Sequence, residues 1–199
     1  MTAQIPDRFQ YRGVEYEVLG VSNAALFDSF HLEFELAGPH TACWRGYQAF
    51  YQIIDHQLVL DALLICPATE GPGVAPEIPP TIHGIRPTFP MTRLGSGLPY
   101  QYDNLQQPLD YSGGVLVGDG FIQELTYWVG NSPAWHFTNV FELIFYRGIL
   151  VEEFDRTAAV AEIRRQAGPP RGNVDRSELL WGAQLDRFIQ RSFAADYRM

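Results

Sequence analysis

Arg45 and Glu142 are the charges most out of place in this chain, because each stands inside an apolar strand pattern. Arg45 is followed by Tyr47 and Tyr51, and Glu142 lies between Val140 and Ile144. A charge on such a face is costly unless paired, so each is expected to meet the other or a third, opposite charge. The first reading is a structural ion pair inside the sheet. The second is the polar lining of a pocket, to which Tyr47 and Tyr111 would add their phenols. Carboxylates for paired-acid chemistry of the glycosidase kind are present as Asp61, Asp110, Asp119, Glu124 and Glu142, but sequence gives none of their separations.

The other reactive residue types carry weaker signals. His31, His40, His56, His83 and His136 form no pair at i, i+2 or i, i+4, and none has zinc-type spacing to Cys43 or Cys66. They read as structural or surface histidines, and neither a metal nor a cofactor is implied. Gly95-Ser96-Gly97 lies in loop rather than at a strand-to-helix elbow, so Ser96 is not read as a nucleophile. Ser112-Gly113-Gly114 has no helix after it, and reads as a strand bulge rather than a phosphate cradle. Cys43 precedes Trp44 at the start of a strand and reads as a half-buried, inert thiol.

These residues depend on the elements that hold them. Phe9 to Leu19 reads as a hairpin turning at Gly13. Ser22-Asn23 can cap a short helix through Phe30, and His31 to Leu36 alternates as a strand with Leu32, Phe34 and Leu36 inward. Trp44 to Ile54 and Gln57 to Ile65 form a central hairpin about Asp55-His56, rich in aromatic and branched residues. The stretch 66–108 holds more than half of the 14 prolines and reads as an irregular loop over one face. Strands resume from Tyr111 to Gly118, with Asp119-Gly120 as a hairpin turn and Phe121 to Val129 returning. Thr138 to Arg147 and Ile149 to Phe154 make a last hairpin about Gly148. A helix capped by Asp155 or Thr157 then runs to Ala167, and a second from Asp175 carries the stripe Trp181, Leu185, Phe188, Ile189.

The expected fold is therefore α+β: a curved antiparallel sheet of roughly eight strands with two C-terminal helices, in a single domain over 1–199 with 66–108 as a loop insertion. The length and the 46% hydrophobic content suit one full core. The net charge is −9, and all 14 cationic side chains are Arg. Without Lys there is no Schiff-base lysine and no Walker-A phosphate lysine. An acidic surface repels nucleic acid and anionic lipid and attracts a basic partner. Two cysteines, no apolar leader and no long apolar run predict a cytoplasmic protein with reduced thiols.

Trp44-Arg45-Gly46-Tyr47-x-Ala49, the Ile53-x-Asp55-x-x-Leu58-x-Leu60 hairpin, Tyr111-Ser112-Gly113-Gly114 and Phe141-Glu142-Leu143-x-Phe145-x-x-Gly148 resemble a family of uncharacterised bacterial proteins. The likeness covers about residues 8–155, with the Pro-rich stretch expanded. Small acidic proteins of this class are often immunity partners of polymorphic toxins, which by analogy implies a basic toxin as partner. Two functions are expected. The first is a non-enzymatic, cytoplasmic immunity protein that neutralises a toxin by occlusion. The alternative is a small enzyme or small-molecule binder on the concave face of the sheet, with Arg45, Tyr47, Tyr111 and Glu142 as its lining.

Overall fold

The computed structural model describes residues 4–68, 78–89, 97–123 and 132–167. Among these residues nine strands form one sheet: β1 Arg8–Tyr11, β2 Val14–Val21, β3 Tyr47–Ile54, β4 Gln57–Ile65, β5 Tyr100–Tyr102, β6 Gln107–Pro108, β7 Gly113–Phe121, β8 Phe137–Tyr146 and β9 Ile149–Asp155. Helix α1 follows at Thr157–Ala167. The neighbours run β3-β1-β2-β7-β8-β9-β4, and β4 pairs again with β3. The curved sheet thus closes on itself as a barrel, which removes most of its edges.

Short turns set the register. Arg12-Gly13, Asp55-His56 and Arg147-Gly148 all have positive φ at both positions, the geometry whose twist matches a two-residue hairpin. They join β1 to β2, β3 to β4 and β8 to β9. The closing seam between β4 and β9 is narrow, with Gln57 opposite Ile149. There Leu58 N–H donates to Gly148 C=O at 2.7 Å, and Leu150 N–H donates to His56 C=O at 2.9 Å. Gly148 has φ +79°, and a Cβ there would collide with the Leu109 backbone carbonyl.

Several expectations are corrected. The sheet is mixed, because β1 and β3 run parallel. A parallel pair needs a long crossover, and residues 22–46 supply it. Within that crossover the expected strand His31–Leu36 does not form. Leu32, Phe34 and Leu36 are half-buried and their Glu neighbours exposed, but among the described residues Leu36 alone makes a bridge, to Pro67. The expected helix before it is a single 3-10 turn at Ser29–His31. Asp119-Gly120 is not a hairpin turn. β7 continues to Phe121 opposite Phe137, where the two rings pack at 5.4 Å. The loop 66–108 is not wholly irregular: β5 and β6 pair with β4, and Tyr100 and Tyr102 are buried in the core. Pro108 is tolerated because its strand is two residues long and needs few ladder donors. The expected strand over 121–129 beyond residue 123 and the second C-terminal helix lie outside the described residues.

Core clusters line both faces of the barrel wall. Phe9, Tyr51, Leu58, Leu63, Tyr102 and Phe145 belong to the inner one, so side chains fill the concave face. The outer one joins Leu116 and Val140 to Trp135, Phe137 and the α1 residues Val160 and Ile163. Arg164 fastens this layer by donating to the carbonyls of Trp135 at 2.9 Å and Phe137 at 2.7 Å. Among the described residues no helix is long and apolar enough to cross a membrane.

Candidate functional site

Arg45 and Glu142 are paired, but not with each other. Arg45 precedes β3 in a turn, and its guanidinium meets Asp7 in a two-pronged contact: Nη1 to Oδ2 at 3.0 Å and Nη2 to Oδ1 at 2.9 Å. Nη2 also reaches the Ile5 carbonyl at 3.3 Å. Asp7 Oδ1 accepts the Ala49 backbone N–H at 2.9 Å, so one carboxylate ties the chain before β1 to β3. Burial alone would make the Arg45 cation less favourable. The Asp7 charge and its hydrogen bonds outweigh that and raise the Arg45 pKa.

Tyr47 stands beside this pair, with the Arg45 guanidinium 4.5 Å from its ring centroid. Phe27 packs edge-on against Tyr47 at 4.9 Å, so the crossover covers this part of the barrel. Burial pushes the Tyr47 phenol up, against the pull of Arg45. Burial pushes Tyr51 much further. Neither phenol is ionised near neutral pH, so neither can act there as a phenolate base.

Glu142 lies on the outer face of β8 and is 0% exposed. Arg156, just ahead of α1, donates to its Oε2 from Nε at 2.8 Å and Nη2 at 2.6 Å. The Arg156 backbone N–H bonds the Val140 carbonyl at 2.8 Å, and its guanidinium lies 4.7 Å from the Phe154 ring centroid. This pair binds the head of α1 to the barrel wall. It is an ion pair on an apolar face, as expected, with a partner that sequence did not single out.

Tyr111 is a strut. Its hydroxyl donates to the Ser22 carbonyl and lies 3.0 Å from the Gly114 carbonyl. Ser22 Oγ accepts the Gly114 N–H at 2.7 Å. A Cβ on Gly113 would come within 2.7 Å of Ser22 Oγ and 2.8 Å of the Tyr111 hydroxyl. The Tyr-Ser-Gly-Gly motif therefore has a local reason: glycine lets β7 start against the end of β2. Burial raises the Tyr111 phenol as well.

The structure brings Arg45 and Tyr47 together, but puts Glu142 and Tyr111 in separate settings with their own partners. None of the four borders the open cleft of about 220 Å³ on the barrel exterior, which Arg8, Glu15, Gln52, Asp61 and Asp103 line. A bulge between Phe50 and Tyr51 leaves Asp61 out of the β3–β4 ladder, and its carbonyl takes the Leu105 N–H at 2.8 Å. No group of His, Cys, Asp or Glu able to hold a metal occurs among the described residues. Cys43 is buried and Cys66 half-buried; burial raises both thiols.

Sequence reasoning missed Asp7, Arg156, Ser22 and Glu153. Glu153 accepts from both the Tyr11 hydroxyl and the Arg12 guanidinium, which links β9 to the β1–β2 turn. Burial first, and Glu153 second, push the Tyr11 phenol up to about 12. Alternation gives no sign of such a contact between strands far apart in sequence. Sequence spacing groups His136 with the other histidines as structural or surface. It is buried, with Trp135 at 4.2 Å and Phe121 at 6.0 Å. Burial, and secondarily Arg164, lower its pKa to about 4.

No family model, no curated protein and no solved structure matches the chain.

Proposed function

We propose that the protein binds another protein rather than catalysing a reaction, and that it is an immunity protein which neutralises a basic toxin by covering its active-site cleft. One observation carries this reading: the polar residues of the candidate site are held by partners within the chain that fasten the fold. Arg45 holds Asp7, Glu142 holds Arg156 and Tyr111 holds Ser22. What remains to act is the exterior. That exterior belongs to a chain of net charge −9 and carries Trp44, Phe89 and Tyr146 as exposed aromatic residues. Acidic charge speeds encounter with a basic cleft, and exposed aromatics supply contact area once there.

Capture with the full chain as bait, followed by a salt series, tests this. One basic protein retained in equal amount and released at high salt is the expected result. Retention of no protein would remove the reading.

A second reading, a small-molecule binder, rests on the exterior cleft near Asp61 and Asp103. Its carboxylates and amides would suit a small polar cation. Ligand-induced shifts of the Gln52 and Asp103 amide resonances in a screen of small amines would favour it. Unmoved resonances would discard it.

A further inference from the structure

We propose that the outer edge of β9 is a docking site for an extended, basic segment of a partner protein, which adds to the barrel as one more strand. The inference rests on the binding reading above and gives it a place.

β9 pairs with β8 from Ile149 opposite Tyr146 to Asp155 opposite Phe141, with a bulge that leaves Val151 without an opposite residue. On its other side it meets β4 at Ile149 opposite Gln57, with one further bond from Leu150 N–H. From there β4 turns to β6 and β5 instead. The Arg156 N–H points at the Val140 carbonyl of β8. Backbone groups alternate sides along a strand, so those of Glu153 and Asp155 point away from β8. Among the described residues, closure by β4 stops short along this stretch.

The side chains of the edge define what it takes. Glu152, Glu153 and Asp155 are exposed, and Glu152 has no side-chain partner among the described residues. Glu153 already holds a guanidinium of its own chain, that of Arg12. Next to these acids Val151 is 53% exposed and Tyr146 66% exposed. Such a row suits a strand that alternates Arg or Lys with apolar residues, whose backbone bonds give affinity and whose side chains give selectivity. A second copy of this chain is disfavoured, because two β9 edges would set acid against acid. The carboxylates that block self-pairing select the basic partner.

The test is amide hydrogen exchange on the full chain with two soluble peptides, one alternating Arg and Val, the other alternating Glu and Val. The Arg–Val peptide is expected to slow exchange at Glu153 and Asp155, and the Glu–Val peptide to leave it unchanged. Glu152→Arg, an exposed substitution that spares the fold, is expected to weaken Arg–Val binding about tenfold. An unchanged melting temperature checks that the variant is folded. Equal binding of both peptides, binding without protection of β9, or no binding would each overturn the proposal. The capture experiment stands apart from this result. A basic partner retained equally by Glu152→Arg and by the unsubstituted chain would leave the binding reading standing and remove the edge. Protection by the peptide with no partner captured would do the reverse.

Discussion

Glu142 and Arg156 show at the scale of a residue how a charge in an apolar strand can serve the fold. The carboxylate is fully buried, and its partner is the first residue after β9. Removing one member of such a pair leaves the other charge with weakened compensation. Glu142→Gln keeps the shape and loses the charge, so it is expected to cost about 2 kcal/mol in chemical denaturation. His136 gives a pH dependence. Its pKa falls from 6.5 in the unfolded chain to about 4 in the fold. Above 6.5 both states hold it neutral, and its burial costs no proton. As pH falls from 6.5 toward 4 the unfolded state takes up a proton that the folded state refuses, and stability declines. The loss should reach about 2 kcal/mol after discounting for solvent screening, and His136→Phe should flatten the stability curve over that window. Urea midpoints at pH 7 and pH 4.5 for both chains check this.

The elements were partly legible because short-range patterns fix them. The hairpins at Gly13, Asp55-His56 and Gly148 follow from turn residues that accept positive φ. The helix after Asp155 follows from its cap, since Asp155 Oδ1 takes the Thr157 N–H at 2.9 Å. The strand read over 31–36 failed for the opposite reason. Its alternation reports burial on one side, and burial is what it has, but among the described residues no neighbouring strand completes a ladder there. β5 and β6 were missed because two or three residues give no period, and β4 rather than local propensity makes them strands. Two predictions belong here. Gly148→Ala places a Cβ on the Leu109 carbonyl at positive φ, at the narrow seam between β4 and β9. It should cost at least about 2 kcal/mol and speed amide exchange at Leu58 and Leu150 first. Ile163→Ala removes a fully buried contact between α1 and the outer core, and should cost about 2–4 kcal/mol by thermal or urea unfolding.

At the scale of the whole molecule, sequence patterns gave sheet dominance and curvature but not closure. Closure depends on the β3–β1 and β4–β9 pairings, which join segments separated by dozens of residues. The candidate site was legible only in type. Sequence identified Arg45 and Glu142 as charges that need partners, yet Asp7 and Arg156 sit in stretches with no periodic signal. The charges therefore fall in two groups: those held in pairs, Arg45 with Asp7 and Glu142 with Arg156, fasten the barrel, and the exposed ones are those that the proposed partner would meet. Partner retention by folded Glu142→Gln, measured well below its melting temperature, tests that division most directly. Retention equal to that of the unsubstituted chain, with a lowered melting temperature, is the predicted result. Loss of binding, or of a turnover the unsubstituted chain possesses, in a protein that remains folded would contradict it.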